Sequence, residues 1–371
     1  MRSWLKYLIC TCILIFNTID PGINAQILDD TAAISLIKSG VDKIYDLQFD
    51  KADEIYNKLK EQYSNHPVVF LYHGLMVYWQ NYPLLPSSLS RDIFEEDLRK
   101  CIHLSEKRQY SEDHEAEALL ANLCARGLLL LFYADNDLSM NVIPLATGTY
   151  KYIMRSFDFN SVYSDLCYFT GLYNYYREAY PRYRPVYKAV TGLFPPGDME
   201  TGLNELNISS KNAIVLRAES HSILSWIYTF YESNYSTALK YTGALCESYP
   251  SNLYFKSLHI KNLLLLQEYD EAEKYLVLSP RESENRYYCA QVNVLSGILQ
   301  EKKYRNNTLA RQLYEKGLNE LTESGNFGNE YSAYASFGLS RISEASGDKA
   351  GSRKHRRKGM DLAVFKKVNF D

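Results

Sequence analysis

Catalysis needs a nucleophile, a base or a set of metal ligands held at a defined spacing, and few residues of this chain meet that condition. His114 and Glu115 are adjacent, but a zinc-hydrolase helix needs a second histidine four positions after the first, and Ala118 stands there. Ser35 and Lys38 have the Ser-x-x-Lys spacing that sets a base beside a hydroxyl on one helical face, without the companion motifs of such enzymes. Five cysteines, Cys101, Cys124, Cys167, Cys246 and Cys289, each lie at least 23 residues from the next, so zinc and thiol–disulfide chemistry have no support. They read as small buried hydrophobes. His221 and His259 sit in apolar helical patterns as satisfied histidines, and neither a glycine-rich phosphate loop nor a Gly-x-Ser-x-Gly elbow occurs. No catalytic residue, metal or cofactor is expected.

What the chain holds in excess is aromatic. It has 33 tyrosines in 371 residues, against 18 Gly and 11 Pro that are scattered rather than clustered. So few breakers disfavour a β protein with many tight turns, and 46% hydrophobic residues are enough for a large core. An all-α protein follows. The balance of 41 Lys+Arg against 44 Asp+Glu excludes a strongly basic nucleic-acid binder. At the N-terminus, Arg2 and Lys6 precede an apolar stretch from Tyr7 to Phe16, and Ile23, Asn24 and Ala25 form a cleavage site before Gln26. Residues 1–25 read as a secretory signal peptide. Cys10 and Cys12 lack a lipobox, so the expectation is a mature chain without a lipid anchor or transmembrane segment, exported to the periplasm or cell envelope of a Gram-negative-type bacterium. Asn207, Asn234 and Asn306 begin Asn-x-Ser/Thr triplets, which are chance in that setting; Asn234 is placed in a tight turn.

The elements that position these residues repeat. Tyr235 and Ala238 are followed by Tyr269 and Ala272 at an interval of 34 residues, and Gly40 by Gly74 at the same interval. Ala52 follows Gly40 by 12 residues, as Ala238 follows Trp226 and Ala350 follows Gly338, and Pro250 comes 12 after Ala238. This pattern resembles the tetratricopeptide repeat, in which a small residue at position 8 lets two antiparallel helices approach, an Ala at position 20 does the same, and a Pro at position 32 stops the second helix. The resemblance implies a superhelical solenoid of antiparallel helix pairs. It is strongest over 31–64, 217–284 and 330–363. The expected organisation is a signal peptide at 1–25, a divergent N-terminal array at 26–179, an irregular connector at 180–200 and a C-terminal array at 201–371 that ends in a basic capping helix. Within the connector, Asp198 is the expected N-cap of a following helix. The stretch from Gly171 to Glu219 also has a faint similarity to the Iml2-like branch of repeat proteins.

In the resembled family, positions 12 and 13 of the first helix face a concave groove. With Gly40, Gly74, Gly171 and Trp226 at position 8, those positions carry Tyr45, Tyr78, Trp79, Tyr175, Tyr176, Phe230 and Tyr231. A ladder of such rings suits an extended peptide, a partner helix or a sugar chain. Arg177, Arg182 and Arg184 lie beside Tyr175 and Tyr176 and are candidate contacts for an anion. The expectation is a non-catalytic scaffold that binds a protein or peptide, with a glycan-binding envelope protein as the alternative.

Overall fold

Apolar residues recur every three or four positions along most of the chain, and each such stretch folds as a helix. The computed structural model describes residues 27–28, 30–108, 115–183, 185, 188, 192–278, 285–368 and 370–371. No strand occurs among the described residues. The signal peptide, His114 and Arg184 lie outside them. The first half contains α1 (Thr31–Tyr45), α2 (Phe49–Gln62), α3 (Pro67–Gln80), α4 (Arg91–Arg108), α5 (Glu115–Asp135), α6 (Ser139–Ser156) and α7 (Leu166–Tyr183). The second contains α8 (Met199–Asn212), α9 (Arg217–Phe230), α10 (Tyr235–Ser248), α11 (Leu253–Leu265), α12 (Tyr269–Leu278) and α13 (Arg286–Lys302). It ends with α14 (Asn307–Glu320), a 3-10 segment (Leu321–Gly328), α15 (Asn329–Ala345) and α16 (Lys349–Leu362).

Each helix packs chiefly on its neighbour in sequence, as expected of antiparallel helices joined by short turns. The turns are themselves repeated. Leu47, Asp137, Gln267 and Gly347 are each the middle residue of a three-residue turn, and all four have positive φ. In each turn the following N–H reaches back five residues, as in the bond from Gln48 N–H to the Lys43 carbonyl, which satisfies helix-end acceptors. Ser233 and Arg305 hold the same left-handed position in turns one residue longer. Asn234, placed in this turn by the sequence, has φ −108° and caps α10 by accepting from Thr237 N–H. Its side chain is what the turn uses.

Five residues after the left-handed position come Ala52, Ala238, Ala272 and Ala310, all 0% exposed, whereas the turn at Asp137 has the half-buried Val142 there. In the last pair that place belongs to Ser352, which is buried, and not to Ala350, which is exposed. The 12-residue interval from Gly338 therefore marks a different contact. Gly338 instead lies against the ring of Tyr314.

Long-range capping ties the stack together. The buried Asp165 carboxylate accepts from Ile214, Val215 and Leu216 N–H at 2.7, 2.8 and 3.0 Å, closing the start of α9. Glu117 on α5 accepts from Ile27 and Leu28 N–H at 2.6 and 2.8 Å and meets His66 Nε2 at 2.6 Å, which anchors the first described residues. Helix α5 is long and apolar enough to cross a membrane, and most of it is buried among its neighbours. The irregular stretch begins later than residue 180, because α7 continues through Pro181 to Tyr183. Asp198 caps α8 by accepting from Thr201 N–H at 2.6 Å. All five cysteines from Cys101 onward are buried and free, and burial pushes the Cys101 and Cys246 thiols up to about 12.

Candidate functional site

The rings placed at positions 12 and 13 are packed among the chain's own residues. Tyr45, Tyr78, Trp79, Tyr175, Phe230 and Tyr231 are buried and Tyr176 is half-buried, so these rings do not form an open ladder. The reason is that distant helices close over them. Tyr45 meets Tyr249 and Phe255 at ring separations of 5.6 and 6.2 Å, and its hydroxyl donates to Glu219 at 2.9 Å. Trp79 meets Tyr82, Tyr254 and Phe255 at 5.2, 6.1 and 5.6 Å, and Tyr82 extends the cluster to Tyr287 and Phe327 at 6.2 and 5.7 Å. Polar contacts reinforce this junction: Asp42 accepts from Arg217 and from the Tyr249 hydroxyl, each at 2.9 Å, and Asn252 donates to the Tyr45 carbonyl at 2.7 Å.

The junction is largely desolvated. Burial holds the hydroxyls of Tyr78, Tyr82 and Tyr287 well above their ordinary range, so they remain neutral. Burial also raises the Asp135 carboxyl, which faces the same rings, to about 7. Among the described residues, no group of three or more His, Cys, Asp or Glu could hold a metal ion. Ser35 and Lys38 are both exposed on α1. His221 Nδ1 lies 3.0 Å from the Arg217 carbonyl, and His259 Nδ1 lies 3.0 Å from the Thr242 hydroxyl. Desolvation lowers His259 to about 4 and keeps it neutral.

A second cluster is built differently. Tyr175, Tyr176, Tyr183 and Tyr231 pack edge to face, and the Tyr183 hydroxyl donates to the Tyr231 carbonyl. Next to them, the segment that follows α16 folds back across the first helices of two pairs, α9 and α15. Phe365 lies 4.9 Å from Phe230, 5.2 Å from Tyr231 and 5.8 Å from Trp226 between ring centres. Phe370 meets Tyr334 edge-on at 5.0 Å, and Asp371 pairs with Arg341 at 3.1 Å. Val368 and Phe370 are buried. Thus Phe230 and Tyr231 do line a face that holds an irregular chain segment, and the occupant is the chain's own segment after α16.

Trp226 serves as a wall of that face, and Ser225 occupies the small-residue place assigned to it. The turn after α9 is one residue longer than the common form, which offsets the first helix by one position. Tyr231 consequently falls just beyond α9, as its C-cap. The spacing missed Trp226, Tyr334, Phe365 and Phe370. Their one visible signal was a group of apolar residues, Val364, Phe365, Val368 and Phe370, continuing beyond a highly charged helix.

The arginines are also placed. Arg177 bonds Glu178 at 3.2 Å and the Phe194 carbonyl at 3.1 Å, fastening the loop before α8. Arg182 is exposed beside an open cavity of about 480 Å³ that carries Glu178, Asp198, Glu200 and Glu232. Beside the Arg177-paired Glu178, three further carboxylates surround Arg182 and repel an anion there, contrary to the anion contact expected of Arg182. The chain matches no protein-family model and no curated protein.

Proposed function

We propose that the chain is a non-catalytic, exported scaffold of the tetratricopeptide type, a curved stack of helix pairs that holds a protein or peptide partner. The recurring left-handed turn, the buried alanines five residues beyond it and the 34-residue interval support the solenoid reading. The observation that carries the binding role is the terminal segment on α9 and α15, where Phe365 stacks on Phe230 and Phe370 packs on Tyr334. A surface that already holds an irregular peptide has the apolar pockets and the polar anchor, Arg341, that such a ligand needs. Partner segments carrying two aromatic residues and a downstream carboxylate match this face and would displace the tail. Of the other proposed groove rings, Tyr45, Tyr78 and Trp79 pack in the junction between distant helices, and Tyr175 and Tyr176 pack in the cluster with Tyr183 and Tyr231.

The test is a titration of a chain ending at Leu362 with a labelled synthetic peptide of residues 363–371, read by fluorescence anisotropy. Each buried apolar side chain contributes about 1.5–3 kcal/mol, and ordering the peptide offsets part of that, so the dissociation constant expected is on the order of 100 μM. Trp226→Ala/Phe230→Ala should abolish the signal while circular dichroism stays unchanged. Unchanged affinity in a folded double variant would refute this assignment of the face.

A further inference from the structure

Between the turns of three consecutive helix pairs and the segment after α16 lies a cavity of about 300 Å³, unlike the acidic hollow beside Arg182 in the charge it presents. Lys302, the last residue of α13, Arg305 in the following turn and Lys367 from the terminal segment all line it. Asp371 is the acidic residue on the wall among the described residues, and its side chain pairs with Arg341 at 3.1 Å. Glu301 lies 3.7 Å from Lys302, but it is already held by Arg341 at 2.6 and 3.0 Å and by the Tyr314 hydroxyl at 2.7 Å. Among the described residues, neither Arg305 nor Lys367 has a carboxylate within ion-pairing distance. Burial, then the nearby Arg341 and Arg305 cations, hold the Lys302 ammonium below its ordinary range. Like charges therefore face one another across an open space.

The remaining wall adds hydrogen-bonding groups. Tyr235 and Tyr269 open α10 and α12 at equivalent places, 34 residues apart, and both line the cavity. Neither hydroxyl has a hydrogen-bond partner among the described residues. A volume at the low end of ligand pockets fits a small molecule and not a macromolecule. We propose that this cavity binds a compact small-molecule anion bearing at least two negative charges, as phosphate or carboxylate, which Lys302, Arg305 and Lys367 pair and to which Tyr235 and Tyr269 donate. The site needs the segment after α16 in place, so it does not rest on the aromatic face having a partner, and a partner that displaced that segment would take Lys367 out of it.

Isothermal titration calorimetry of the purified chain with sodium pyrophosphate and with citrate, at fixed ionic strength, tests this site. Saturable binding is expected below about 10 mM for at least one anion. A preference for one of the two assigns the ligand to phosphate or to carboxylate chemistry. Lys302→Gln/Arg305→Gln/Lys367→Gln should weaken binding at least tenfold, whereas Arg353→Gln/Arg357→Gln/Lys358→Gln, which removes equal charge from the exposed face of α16, should leave it unchanged. Lys367→Gln alone alters one exposed side chain and should still weaken binding, which guards against misfolding of the triple variant. Absence of saturable heat with both anions, or the same affinity in Lys367→Gln and wild type, would overturn the proposal.

Discussion

Replacing Gly40 by alanine examines the packing rule on which the helix pairs depend. A Cβ at Gly40 would come 2.5 Å from Tyr72 Cε2, 2.6 Å from its hydroxyl oxygen and 2.8 Å from Ile55 Cγ2, where ordinary contacts need roughly 3.5 Å. Tyr72 cannot retreat freely, because it is 2% exposed and its hydroxyl donates to the Ala52 carbonyl at 2.9 Å. Overpacking of this kind costs about 1–3 kcal/mol, and losing the Tyr72 hydrogen bond adds about 1 kcal/mol. Alanine returns about 0.5–1 kcal/mol by favouring the helical backbone. The net expectation is a loss of about 1–3 kcal/mol. Gly243 in α10 supplies the opposite case, since the nearest atom to its added Cβ is His259 Cε1 at 3.6 Å. There only the helical gain remains, and Gly243→Ala should stabilise by up to about 1 kcal/mol. Urea unfolding monitored by circular dichroism measures both. The reasoning fails if the two substitutions change stability with the same sign.

Substitutions at two further residues examine the half-buried Asp135 and the buried Asp165. Burial raises Asp135 to about 7, so the folded state holds its proton more tightly than the unfolded chain and stability falls as pH rises from roughly 4 to 7. Asp135→Asn should therefore stabilise by on the order of 2–4 kcal/mol at about pH 8 and by little near pH 4, in urea unfolding at the two pH values; an equal difference at both would exclude this origin. Asp165→Ala leaves the N–H groups of Ile214, Val215 and Leu216 without their acceptor. A loss of about 3 kcal/mol or more is expected, with Asp165→Asn intermediate because one carbonyl oxygen survives, and a change in unfolding free energy below about 0.5 kcal/mol would contradict the capping role.

Local features were legible in the sequence because they depend on neighbours a few residues away. Asp198 capping α8 and the alternation of helix and turn belong to this class. Tyr235 and Tyr269 keep their 34-residue interval because the left-handed residues Ser233 and Gln267 fix the start of the second helix in both pairs. The register of the first helix was not legible, since a turn longer by one residue moves Trp226 off the crossing and puts Ser225 there. Helical periodicity identifies which residues share a face and leaves open what covers it. Tyr45 and Tyr249 are 204 residues apart in sequence and meet at 5.6 Å, a contact that no interval within a repeat encodes. The cationic cavity was hidden for the same reason, since Lys367 reaches it from beyond the last helix.

The most direct test of the scaffold role is capture from envelope extract with three baits: wild type, Phe365→Ala/Phe370→Ala, which releases the tail, and Trp226→Ala/Phe230→Ala, which removes the face. Quantitative mass spectrometry should find at least one protein recovered several-fold more on the tail-released bait than on wild type and lost on the face variant. Recovery of the same proteins at equal yield on all three folded baits would contradict binding through α9 and α15.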